Sequence, residues 1–210
     1  MISIVDFHTH RQDAVQALIS VDPRHFDPQP GLWYSVGFHP WHGVEHLTDN
    51  DYDLLERCAS HPQVLAVGET GMDRLRGPEL EVQRQAFIRH LQLAQELGKP
   101  VVAHCVRTAQ NLLAARHHAD LDDVTLIIHG MRGNAHVART LIDAGCYLSY
   151  GIRYNPEALR ATPLERLLIE TDDGPEAITD VATTVAADLG LTTDDLMVRV
   201  ITTAQRILSP

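Results

Sequence analysis

Six residues of metal-ligand type each stand at the end of a short apolar run. His8 and His10 close IVDFHTH, Glu69 closes VLAVGE, His104 closes PVVAH, His129 closes LIIH and Asp172 closes LLIETD. Side chains two apart on a strand point the same way, so His8 and His10 can grip one ion together. A pair of divalent ions about 3.5 to 4 Å apart needs one bridging ligand and separate ligands for each. Glu69 is the natural bridge, with His104 and His129 on the second ion. Asp172 can bind the first ion and also take a proton from attacking water. Imidazole mixed with carboxylate accepts Zn, Mn or Co and, less readily, Mg. A lone His-x-His pair is weak evidence; the full ordered set is what points to two metal ions and hydrolysis.

Such a set needs elements that bring it to one place. Candidate strands cover residues 3 to 8, 34 to 37, 64 to 68, 100 to 104, 125 to 129, 146 to 149 and 167 to 170. Most intervals have room for a helical crossover between parallel strands. Helices are expected from Pro78 to Leu97, Ala135 to Ala144, Pro175 to Leu189 and Thr193 to Leu208, several ended by a glycine. Strands that each end in a ligand describe the carboxyl mouth of an α/β TIM-type (β/α) barrel, within a single domain over residues 1 to 210. A full barrel typically takes about 250 residues, so trimming is expected. It falls between strands one and three, where the alternating segment Val15, Ala17, Ile19, Val21 follows His10 too closely for a helix, and DPRHFDPQPG follows at once. A second strand that lacks its preceding helix, and that runs parallel or antiparallel, is favoured there over one short helix across residues 13 to 20 with a strand lost. The barrel is expected to be incomplete or distorted on that side. Gly68, Gly71, Gly130 and Gly133 read as tight turns after strands.

Net charge is −11, which argues against a protein that coats nucleic acid through a basic surface. Yet Arg74, Arg76, Arg107, Arg132 and Arg153 all follow ligand-bearing or neighbouring strand ends, whereas residues 167 to 198 hold no Arg or Lys. Arginines around a barrel mouth suit bidentate phosphate binding. Cys58, Cys105 and Cys146 are widely spaced and read as reduced core residues. Without a leader or a long apolar span, the expected location is the cytoplasm, with no membrane contact and no obligate protein partner.

DFHTH, VGFHPW, AVGETGMD, QLAQELGKPVVAHCVR, IIHGMRGN and LLIETDD, in that order, resemble the TatD-type metal-dependent hydrolases of the amidohydrolase superfamily. The resemblance runs from residue 4 to about residue 208. It implies a TIM-type barrel, one metal on His8, His10, Glu69 and Asp172, and a second on Glu69, His104 and His129. It implies metal-dependent deoxyribonuclease or phosphodiesterase activity, often exonucleolytic on single-stranded DNA, and it sets His39 of GFHPW near a substrate phosphate. Departures lie in the compressed stretch before GFHPW, in Asp173-Gly174-Pro175 after ETD, in IHGMRG, and in Cys105 after His104. None touches a proposed ligand; all bear on substrate identity.

The leading expectation is therefore a phosphodiesterase or deoxyribonuclease with Asp172 as ligand and base, Glu69 as bridge, and His39, Arg107 and Arg132 on the substrate. The alternative keeps the metals and cleaves an amide, lactone or aminoacyl ester; a non-catalytic metal-binding module is the third possibility. Asp6 and Asp73 divide evenly between orienting ligand histidines and satisfying backbone donors. His42, His46, His61, His90, His117, His118 and His136 are expected at the surface or partly buried. Trp41 is expected either to stack a base at the mouth or to pack under its rim.

Overall fold

The computed structural model describes residues 3–208. Eight strands close into one barrel in sequence order, and every neighbouring pair is parallel. They are β1 (Asp6–Thr9), β2 (Ala17–Val21), β3 (Trp33–Val36), β4 (Val64–Asp73), β5 (Val101–Val106), β6 (Leu126–Ile128), β7 (Tyr147–Tyr150) and β8 (Leu167–Ile169). Helices follow from β3 onward: α1 (Asp49–Ala59), α2 (Leu80–Leu97), α3 (Ala109–His118), α4 (Ala135–Asp143), α5 (Pro156–Ala161), α6 (Ile178–Leu189) and α7 (Thr193–Leu208). No helix among the described residues is long and apolar enough to cross a membrane.

The second strand is present and parallel, so the barrel is closed rather than incomplete. What is missing is the helical layer outside β1 and β2. A four-residue strand rises only about 13 Å, whereas residues 10–16, fully extended, reach up to about 25 Å and return the chain to the opposite end without a helix. All five β2 residues are buried. The loop after β2 covers this side, with a single 3-10 turn at Pro23–His25 and with Phe26 edge-on to Tyr34.

β4 is twice as long as the expected strand over 64 to 68. Gly68 and Gly71 are not turns; they lie inside it, at φ +135° and +132°. A Cβ on Gly68 would stand 2.4 Å from the Val102 carbonyl oxygen, and one on Gly71 would stand 2.2 Å from that of His104. Absent side chains let β4 press against β5, and this contact pairs Gly71 with His104, whose side chain meets that of Glu69. Gly71→Ala is accordingly expected to cost about 3 kcal/mol or more, from backbone strain and overlap together. Denaturant unfolding would measure it; a loss below about 1 kcal/mol would mean that the two strands can move apart cheaply.

His90 on α2 departs from its expected surface or partly buried place. It is fully buried, its Nε2 accepts from Phe38 N at 3.0 Å, and its Nδ1 lies 2.7 Å from the Ala86 carbonyl oxygen to which it donates. Burial pushes its pKa down to about 4, so the neutral ring pins the chain just before His39. Of the cysteines, Cys146 is buried as expected, but Cys58 and Cys105 are partly exposed.

Candidate metal centre

Glu69 is the centre of the mouth, 4% exposed, and its two oxygens face different histidines. Oε1 lies 3.0 Å from His104 Nδ1, 2.7 Å from His129 Nε2 and 3.0 Å from His39 Nε2. Oε2 lies 3.3 Å from His8 Nε2 and 3.5 Å from His10 Nε2. Asp172 completes the second group, with Oδ1 3.7 Å from both His8 and His10. All six expected ligand residues therefore meet, and His39 joins them.

Glu69 and His104 lie inside β4 and β5, and the other ligands stand near the ends of β1, β6 and β8. His8 belongs to β1 and His10 follows it, with the His10 N–H bonded to the Asp172 carbonyl and the Asp172 N–H bonded to that of His8. Asp172 sits at φ +55°, a left-handed conformation that an aspartate tolerates better than most residues. The buried carboxylate of Asp6, its pKa pushed up to about 6 by burial, accepts from both the N–H and the hydroxyl of Thr171. Asp6 thus serves backbone and hydroxyl donors that fasten the β8 end to β1, and orients no ligand histidine.

Asp73 does orient one. Its Oδ2 lies 3.1 Å from His104 Nε2 and accepts from Trp41 Nε1 at 2.8 Å, while Oδ1 accepts from Leu75 N. Burial raises the Asp73 pKa, but the hydrogen bonds from Leu75, His104 and Trp41 outweigh it and keep the group ionised. An ionised carboxylate only accepts, so His104 donates to Asp73 through Nε2, and in the metal-loaded site it would present an unprotonated Nδ1 to an ion. Trp41 is not an open stacking platform: its N–H is taken by Asp73, and the Arg76 guanidinium lies 3.8 Å above its ring. Asp73→Ala is expected to lower metal affinity and turnover by roughly 10- to 100-fold. Metal titration followed by calorimetry would check this; unchanged affinity would leave Asp73 with a purely structural role.

Glu170 escaped the sequence reading. It is fully buried, Oε1 accepts from Gly130 N at 2.6 Å and stands 3.5 Å from His129 Nδ1. The signal was available: Glu170 and Asp172 are two apart, the same spacing that singled out His8 and His10.

The electrostatics suit cations. Burial raises the Glu69 pKa, but His129, His8 and the hydrogen bonds from His10 and His104 outweigh it and hold the carboxyl well below its usual range. Burial lowers the His129 pKa, yet Glu69 and Glu170 more than reverse this and keep that ring protonated. Burial and the neighbouring His129 hold His8 neutral. Both His8 nitrogens, His129 Nδ1 and Glu170 Oε2 are buried without a hydrogen-bond partner. Buried donors and acceptors left so are costly, and four overlapping groups from this cluster have the reach to hold an ion. The donor set, imidazole with carboxylate, fits divalent metal.

Beside the cluster opens a cavity of about 940 Å3. Arg74, Arg107, Arg132 and Arg153 line it, as expected of the mouth arginines, and Arg132 lies 3.9 Å from Asp172 Oδ2. Arg76 is turned instead onto Trp41.

The chain has relatives. The family model described as TatD related DNase matches residues 23–209. A Mycobacterium tuberculosis protein named "Uncharacterized metal-dependent hydrolase TatD" is 38% identical over 154 residues, which are 67% of this chain and 58% of that protein. The "3'-5' ssDNA/RNA exonuclease TatD" of Salmonella typhimurium is 31% identical over 154 residues, 68% of this chain and 58% of that protein. The chain thus spans under two thirds of the length of these relatives. Among solved structures, the TatD homologue YjjV from Escherichia coli superposes over all of both chains with TM-score 0.86 at 21% identity, which supports the fold.

Proposed function

This chain belongs to the TatD related DNase family, and from that membership and the geometry of its mouth we propose that it is a divalent-metal-dependent phosphodiesterase acting on single-stranded nucleic acid. The observation that carries this is the division of Glu69, one oxygen toward His104 and His129 and the other toward His8 and His10. Two ions would be held, one by His8, His10, Glu69 and Asp172 and one by Glu69, His104 and His129. When bound, divalent ions supply Lewis acidity toward a phosphoryl oxygen and lower the pKa of water.

The chain's own groups do the rest. Asp172 faces the cavity and is the carboxylate placed to accept a proton from the attacking water. His39 accepts from Trp41 N through Nδ1, so its proton sits on Nε2, 3.0 Å from Glu69 Oε1. Burial holds that ring neutral despite its hydrogen bond to Glu69, so its single donor, Nε2–H, would be free to turn to a phosphoryl oxygen once an ion holds Glu69. Arg107 and Arg132 offer planar guanidinium groups to the charge that develops on phosphate. Beyond the site's own Glu170 and Asp172, residues 167–198 carry six more Asp or Glu and no Arg or Lys, so a polyanion is favoured only at the arginine side of the cavity. The name of the Salmonella relative supports a single-stranded substrate.

A carboxyl-ester, lactone or amide substrate would use the same ligands but would leave the cavity arginines without a charge to meet. Initial rates of the manganese-loaded protein on bis(p-nitrophenyl) phosphate and on p-nitrophenyl acetate separate the two. The phosphodiester is expected to be preferred in kcat/KM; preference for the acetate would move the protein to the ester-cleaving class.

A further inference from the structure

The cavity does not stop at the arginines. Beyond them it is bounded by the first turn of α3 and one face of α4, and the hydrolytic cluster has no use for that part. Asn134, Val137 and Leu141 line it at positions i, i+3 and i+7. Leu141 is fully buried, so the open part of the cleft is bounded by the first turns of the two helices. Val106 and Val137 form the partly exposed apolar wall, backed by the buried Met131 and Leu141. Gly133 keeps that wall tight, since a Cβ there would come within 3.0 Å of Met131 and 3.1 Å of Val137.

The rim has the opposite character. Arg74 reaches across from the end of β4, donating through Nε to the Arg107 carbonyl and through NH2 to Asn111 Oδ1 at 2.8 Å. Its guanidinium is thereby fixed at the cleft entrance with N–H groups to spare. Arg132 stands between that entrance and Asp172. One guanidinium held at the entrance of a partly apolar cleft, with a second beside Asp172 and next to a centre for phosphate hydrolysis, matches a molecule with an apolar ring joined to a phosphate.

We infer that the cleft between α3 and α4 is a nucleobase subsite: the base of a nucleotide flanking the scissile phosphate enters it, while the phosphates lie on Arg74 and Arg132. This rests on the phosphodiesterase assignment and refines its substrate. A base can enter only when unstacked and unpaired, so frayed or single-stranded ends are the form that fits. Binding there depends on aliphatic walls, because the Trp41 ring is already covered by Arg76. The cavity volume, about 940 Å3, lies in the upper range of pockets that enclose a whole small ligand.

Two chromogenic diesters test it: thymidine 5′-(p-nitrophenyl phosphate) and methyl p-nitrophenyl phosphate, which share the leaving group and differ by the nucleoside. With manganese-loaded wild type, the thymidine ester is expected to exceed the methyl ester by roughly tenfold or more in kcat/KM. Thymidine 5′-monophosphate is expected to bind tighter than methyl phosphate by a similar factor, read by calorimetry without turnover. Val137→Trp, which fills the cleft, is expected to bring the ratio of the two esters toward one; a ratio does not depend on the fraction of protein folded. Equal kcat/KM for the two esters in the wild type would overturn the subsite while leaving the phosphodiesterase intact. An unchanged ratio in Val137→Trp would overturn its location. Cleavage of neither ester would overturn the phosphodiesterase, and the subsite with it.

Discussion

Glu69→Gln is expected to remove at least one metal ion per chain and to lower turnover on the order of 10^3-fold, about 4 kcal/mol of transition-state stabilisation. Both carboxylate oxygens are committed, Oε1 among three imidazoles and Oε2 between two. An amide supplies one neutral acceptor where the site needs a shared anion. The metal-free protein changes as well. Glu69 is a main cause of the raised His129 pKa, and a protonated ring in that buried place without its partner carries a penalty of several kcal/mol. The ring is expected to give up its proton instead, so in the metal-free variant His129 titrates at lower pH than in the wild type. Metal analysis and histidine NMR titration check both halves. Full retention of metal, or an unmoved His129, would contradict the bridging role.

Asp172→Asn is expected to lower kcat by about 10^2- to 10^4-fold, the range for loss of a general base, with a smaller effect on KM. The choice of Asn matters. Asp172 holds φ +55°, a conformation that Asn accepts nearly as well as Asp, so the backbone bonds to His8 and His10 should survive. Occupancy is expected to fall only at the ion that His8 and His10 share, leaving the Glu69, His104 and His129 group filled. Metal content and kcat measured on the same samples check this; an unchanged kcat at full occupancy would contradict the role of Asp172 as proton acceptor.

The ligand set was legible because each member closes an apolar run: parity explains His8 with His10, and barrel topology explains why Glu69, His104, His129 and Asp172 converge. The same parity applied to Glu170 would have added it. Asp73 and Trp41 were open alternatives because their roles depend on β4 continuing past Gly71, and glycine ordinarily ends a strand. There it marks close contact with β5, a tertiary fact that local sequence does not carry. Four helices were found within a few residues of their ends, but α1, α3 and α5 were not singled out. Only Leu55 and Ala59 of α1 are buried, so its apolar stripe is too thin to read, although the Thr48–Asp51 capping box marks its start. The direction of β2 was likewise open, since alternation gives burial but no polarity.

Cleavage of end-labelled single-stranded DNA by metal-stripped protein reloaded with Mg, Mn or Zn, with Glu69→Ala as control and metal content measured on the same samples, goes to the centre of the account. Stepwise shortening that requires two ions per chain and is absent from the control is the expected result, and the label shows the direction. Two bound ions with no cleavage under any metal would contradict it and leave a metal centre built for a different bond.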